Sequence, residues 1–302
     1  EGLDAPAPPD TYPPAGMRSD SRTFEQLLDG YFNTFYREPP ADATHVGLST
    51  GEGRLNPATL TALRKQQTRR RTALVKLDSI APSALSNEQN LDRLAFRARL
   101  LRECEEFDRG RHELDPTGID EVLGFLLKEL QRGEDKPKRA ARNIRGLLRD
   151  TPRYLGQGAR LVKRPERVWR GIMADSFKAS GVFFDAVAGF LQANGRQRSD
   201  SSLLAAANRA CQRYHDSVLA KRLAKPGSFA IGAAALQRRI RDELGLDYTV
   251  GQVEAVALSE IDRVGVLLRR ACARFGRNQS VEKIVESARK SWKPKGNLLA
   301  LY

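Results

Sequence analysis

From Thr23 nearly to the C-terminus, apolar residues recur every three or four positions, and no stretch alternates with period two. Such a pattern gives each segment one apolar stripe and leaves no material for a sheet. The fold class that follows is all-α, with long antiparallel helices in a multi-helix bundle. The spacing predicts helices over about 23–37, 57–78, 87–107, 119–132, 137–149, 151–161, 165–193, 201–224, 230–244, 250–275 and 281–292. Asn56–Pro57 reads as an N-cap followed by proline at the first helical position. Thr249 and Gln252 form the two ends of a capping box, and Gly276 closes that helix. Pro165 opens a long helix on which Trp169, Ile172, Met173, Phe177, Phe184, Val187 and Leu191 repeat at helical spacing, as a core face does. No unit recurs at a fixed period, which argues against a solenoid.

Before the helices come five prolines within the first fourteen residues, so 1–21 reads as a disordered or surface-wrapped arm and 22–302 as the helical domain. A chain of 302 residues can bury a sizeable core. No apolar run approaches the ~18 residues of a membrane span. Three cysteines, Cys104, Cys211 and Cys272, are odd in number and far apart, each in a helical segment. They read as free thiols and favour a reducing, cytoplasmic compartment. The net charge of +14 admits nucleic acid, acidic lipid, an acidic protein, or solubility alone.

Motifs for chemistry are sparse. His112–Glu113 begins an H-E-x-x-H sequence, but Pro116 stands where the second histidine belongs, and proline neither ligates nor continues the turn. The pair reads as chance. The remaining histidines are His45 and His215. Cys211 and His215 share one helix face four residues apart, yet zinc needs three or four protein ligands, and the two continue an apolar stripe through Leu204, Ala207 and Val218. No catalytic residue and no metal ligand is therefore assigned in this chain. Nucleophile elbows and phosphate-binding glycine loops are also missing.

Two features stand out. Residues 136–170 hold twelve Lys or Arg against two acids. On a helical wheel Lys138, Arg142, Arg145 and Arg149 fall within about 60° of one another, opposite Ile144, Leu147 and Leu148. That face could meet an acidic partner or phosphates. With only Tyr154 and Trp169 nearby for base stacking, nucleic acid is the weaker partner. The second feature is Glu260, a carboxylate inside the stripe of Val253, Val256, Ala257, Val264, Leu267, Leu268 and Ala271. At that position it must be ion-paired, hydrogen-bonded, protonated or facing a cleft, and a buried ion pair with an arginine is the plainer reading.

Longer stretches carry a resemblance. "FEQLLDGYFNTFYREPPADATHVGLS" (24–49), "LDSIAPSALSNEQNLDRLAFRARL" (77–100), "LVKRPERVWRGIMADSFKASGVFF" (161–184) and "GSFAIGAAALQRRIRDELGLDYTVGQVEAVALSEI" (227–261) together resemble the bacterial domain of unknown function 885. The resemblance implies a large helical protein in the style of zinc metallopeptidases, with an H-E-x-x-H-type motif in its C-terminal half. This sequence lacks that motif. It is expected to be the N-terminal half, forming one wall of a substrate cleft and inactive by itself, with zinc belonging to the missing C-terminal half. The expected partners are that half or a second copy, and a peptide substrate. Ile284, Val285, Ala288, Trp292, Leu298, Leu299 and Leu301 would form part of the apolar surface left open.

Overall fold

The computed structural model describes residues 15–37, 52–275 and 279–291, and all regular structure among them is helical. The chain divides into two compact units, Glu1–Ile231 and Gly232–Tyr302, where the sequence suggests one domain from residue 22 onward.

The first unit holds α1 (Ala15–Arg37), α2 (Leu60–Asp78), α3 (Asn87–Asp108), the single turn α4 (Arg111–Leu114), α5 (Gly118–Arg132), α6 (Pro137–Leu161), α7 (Arg167–Ala193) and α8 (Asp200–Leu219). Helix α1 starts inside the stretch read as an arm. Helices α5 to α8 enclose the main core, with Ile119, Leu126, Ile144, Leu148, Met173, Leu191 and Cys211 among its buried members. A second cluster joins α1, α2 and α3 through Phe24, Leu77, Phe96 and Leu100.

Two local corrections have clear causes. Sequence spacing breaks the chain at Asp150 because of Pro152, but α6 runs through that proline as one helix. Proline inside a helix costs about 3 kcal/mol. Ile144, Leu147 and Leu148 before it and Tyr154 and Leu155 after it all enter the same core, and that burial outweighs the cost. The second correction concerns α2, which begins at Leu60 with Thr59 as N-cap, not at Pro57; the Thr59 hydroxyl accepts from the Ala62 N–H at 3.2 Å.

Residues 52–58 are instead a non-helical strap along α6, with a turn at Glu52 and Gly53. Arg139 clasps both Glu52 carboxylate oxygens at 2.7 and 2.8 Å. Further along, Leu55 N–H donates to Asp150 at 3.0 Å, Arg153 donates to the Leu55 carbonyl at 3.0 Å, and Ala58 N–H donates to Gln157 at 3.1 Å. The amides of Leu55 and Ala58 and the carbonyl of Leu55 are thus satisfied by α6 side chains and need no helix. Gly53 has a φ of 73°, and a Cβ on Gly146 would lie 2.2 Å from the Gly53 carbonyl oxygen. Only glycine permits that approach.

The second unit holds α9 (Ala233–Asp242), α10 (Val250–Cys272) and α11 (Val281–Ser291). The capping box of Thr249 and Gln252 forms as the sequence predicts, while α10 ends at Cys272, before Gly276, which lies outside the described residues.

Candidate functional site

A cavity of about 500 Å³ lies in the first unit, where α2 and α3 meet α5, α6 and α8. Glu103, Glu106 and Phe107 of α3 form one side, and Glu121 and Phe125 of α5 another. Tyr154 and Gly158 of α6 and Tyr214 of α8 close the floor. Both tyrosines are nearly inaccessible. Tyr154 donates its hydroxyl proton to the Glu121 carboxylate. Burial pushes the Tyr214 hydroxyl well above its ordinary pKa, so it stays protonated and can donate.

His112 lines the same cavity. It sits on α4, a turn held from outside: the Glu113 carbonyl accepts from the Lys163 and Arg164 N–H groups at 2.8 and 3.1 Å, and the Leu114 carbonyl accepts from Glu166 N–H at 2.8 Å. Pro116, which spoils the zinc motif, is buried just beyond this turn. The imidazole stacks on Phe107 with centroids 5.1 Å apart. Burial depresses its pKa, which keeps the ring neutral at pH 7, and Nδ1 is buried with no protein hydrogen-bond partner. Sequence spacing dismisses His112–Glu113 as chance because it tests a zinc motif. What places His112 in a cavity wall is the anchoring of α4 by residues some fifty positions later (for example Glu166 N–H to Leu114 O). No local signal could have revealed it.

The family model for bacterial proteins of unknown function, DUF885, matches residues 40–297. The chain belongs to that family. A solved structure from Shewanella oneidensis, provisionally described as a lipoprotein of unknown function, resembles this DUF885 chain with a TM-score of 0.67 at 15% identity. The likeness covers 92% of this chain and 51% of the other, so the chain spans about half the length of that relative. At that identity the likeness establishes the fold alone. No curated protein matches the sequence.

The structure scatters the other residues singled out by sequence. Lys138, Arg142 and Arg149 are exposed on α6 of the DUF885 chain. Arg145 is not. It is 7% exposed, and its guanidinium forks onto Asp200 at 2.7 and 3.0 Å and onto the Gly195 carbonyl at 2.7 Å. Periodicity groups it with its neighbours because Gly195 and Asp200 stand fifty or more residues away along the chain. Tyr154 is a buried cavity wall, and Trp169 lies under the Arg111 guanidinium at 5.3 Å.

Glu260 overturns its expectation in part. It is exposed, and it pairs with Arg263 one turn along α10 at 2.8 Å. The ion pair forms, but the apolar stripe around it is itself exposed, so no burial has to be compensated. Cys211 is fully buried, its thiol pushed up to about 12 by burial, and His215 stacks on Phe177 at 4.3 Å. Cys104 and Cys272 are likewise free and buried. Among the described residues no group of three or more His, Cys, Asp or Glu is placed to hold a metal ion. His45, Trp292, Leu298, Leu299 and Leu301 lie outside the described residues. Among the described residues no helix is long and apolar enough to cross a membrane.

Proposed function

We propose that this chain is the N-terminal helical half of a zinc metallopeptidase-like hydrolase, and that the cavity walled by α3, α5 and α6 contributes one side of its substrate cleft. In this reading the zinc and its ligands belong to the other half, and the present chain binds and positions substrate without catalysing. The observation that carries the reading is α10. Val256, Leu258, Ile261, Val264 and Leu267 are all exposed on a single helix, at 49–66% of their surface. A helix apolar on several sides is a core helix, and a relative twice as long supplies the further polypeptide that would cover it. Covering a few hundred Å² of such surface at ~25 cal/mol per Å² is worth several kcal/mol.

The test is to purify the chain with and without the polypeptide encoded downstream of Tyr302. The chain alone is expected to self-associate in sedimentation and to take up no stoichiometric zinc. The two parts together are expected to co-purify, to hold zinc and to hydrolyse peptides. A chain that stays monomeric at high concentration and ignores the added half would overturn the reading.

A second reading has one favourable observation. Lys138, Arg142 and Arg149 remain exposed along one line of α6, and they suit an acidic protein or a polyanion. Replacing all three with Ala should then flatten the salt dependence of heparin binding by about three charges. An unchanged slope would dismiss this face.

A further inference from the structure

The cavity also bears on the class of substrate, on the assumption that it is part of the cleft. Its lining carries four carboxylates, Glu103, Glu106, Asp115 and Glu121, against two guanidiniums, Arg70 and Arg111. That balance is acidic in a chain of net charge +14.

Each carboxylate is held in place. Glu103 receives Arg70 at 2.7 Å and Arg99 at 2.8 Å. Glu106 lies 3.2 Å from Arg111. Asp115 receives the Thr117 N–H at 3.0 Å and the Thr117 hydroxyl and lies 3.3 Å from Arg111, and Glu121 receives the Tyr154 hydroxyl. A carboxylate has about four acceptor positions, and these donors fix the orientation of each. The rings of Phe107, Phe125, Tyr154 and Tyr214 line the same cavity. Aromatic faces attract cations as well as apolar groups. With a Debye length of about 8 Å at physiological salt, the carboxylates next to a bound group outweigh the distant positive charges.

We propose that this cavity binds a protonated primary amine carried on an aromatic or branched apolar body. The carboxylates accept the ammonium hydrogens, the rings hold the body, and neutral His112 adds one more polar contact at the wall. Two sources supply that chemistry, the free N-terminus of a peptide and a simple arylalkylamine.

Calorimetric titration of the purified full chain distinguishes them. The probes are phenylalanyl-leucine amide, its N-acetylated form, phenethylamine and 3-phenylpropionate. The free-amine dipeptide is expected to bind at least about tenfold more tightly than its acetylated form, the worth of one charged hydrogen bond. Phenethylamine binding as tightly as the dipeptide would support the amine site and assign it to small amines. The paired substitution Glu106→Gln and Glu121→Gln should remove most of the free-amine preference and leave the acetylated probe unchanged. Gly158→Leu should block every probe, because a Cβ there meets only the Tyr214 ring, at 3.5 Å, and a longer side chain extends into the space. If either variant misfolds by circular dichroism, the four probes on the unaltered chain still decide. Equal or tighter binding of 3-phenylpropionate, or no binding by any probe, would overturn the proposal. Since no reaction is measured, that failure leaves zinc uptake and assembly with the downstream half as a separate test of the cleft reading.

Discussion

Helices α6 and α10 are nearly equal in length, at 25 and 23 residues, and they have opposite fates. Helix α6 carries seven Lys and Arg, yet it buries ten residues, Asn143, Arg145 and Thr151 among them. Helix α10 carries three arginines and a run of Val, Leu and Ile, yet Cys272 alone is buried. The more polar helix is the central one. Helix α6 packs on α5 and α8 and lies under the strap at 52–58, whereas α10 packs on α9 and α11. Burial is thus set by the number of neighbours an element acquires, and side chains as polar as Arg145 go inside when a partner such as Asp200 meets them.

The ion pairs offer the sharpest way to break this comparison. Arg145→Ala leaves the Asp200 carboxylate buried without its partner and should cost about 3–5 kcal/mol in urea unfolding. Arg263→Ala removes the exposed partner of Glu260 and should cost at most about 1 kcal/mol. The pH dependence follows the same division. Hydrogen bonding from Arg145 holds the Asp200 carboxyl below its ordinary pKa, against the effect of burial. A depressed folded-state pKa adds stability above the unfolded value, and that stability is lost as pH falls through the folded one. Acid should therefore destabilise the native chain more than the Asp200→Asn variant. Equal costs for the two arginines would refute the contrast between the helices.

A smaller effect separates their apolar residues. Leu148 is inaccessible, and Leu148→Ala should lose about 2–5 kcal/mol. Leu258 is exposed, so Leu258→Ala should change the isolated chain by no more than about 0.5 kcal/mol. If the downstream half covers α10, the second value should rise once that half is bound.

The smallest effect lies on the outer side of α6. Gly156 is exposed, and a Cβ there would meet nothing within 4 Å. Gly156→Ala should stabilise the chain by about 0.5–1 kcal/mol, seen as a higher thermal midpoint. The same change at Gly146 should destabilise it, because there the Cβ would collide with the strap.

Much of the fold was legible locally. Helical periodicity located most of the helices, and the Thr249–Gln252 capping box formed as spelled. Breaks were legible less often. Pro152 is a breaker by propensity, and the packing of α6 on both sides of it decides otherwise. Asn56–Pro57 looks like a helix start, but its neighbours' amides are taken by Asp150 and Gln157. The candidate site was less legible still. Its members come from α2 to α6 and from α8, and none of them is unusual within its own segment.

What the sequence determined by itself is what depends on neighbours three or four residues away: helix type, caps, free thiols, and membership of a family through its diffuse helical patterns. Tertiary structure alone decided what depends on distant partners. It buried Arg145, exposed Glu260 on a helix with few neighbours, and turned a chance-looking His112 into the wall of an acidic cavity. The physical reason is range. Backbone hydrogen bonding and side-chain rotamers act along the chain, whereas desolvation and charge pairing depend on whatever the fold brings near.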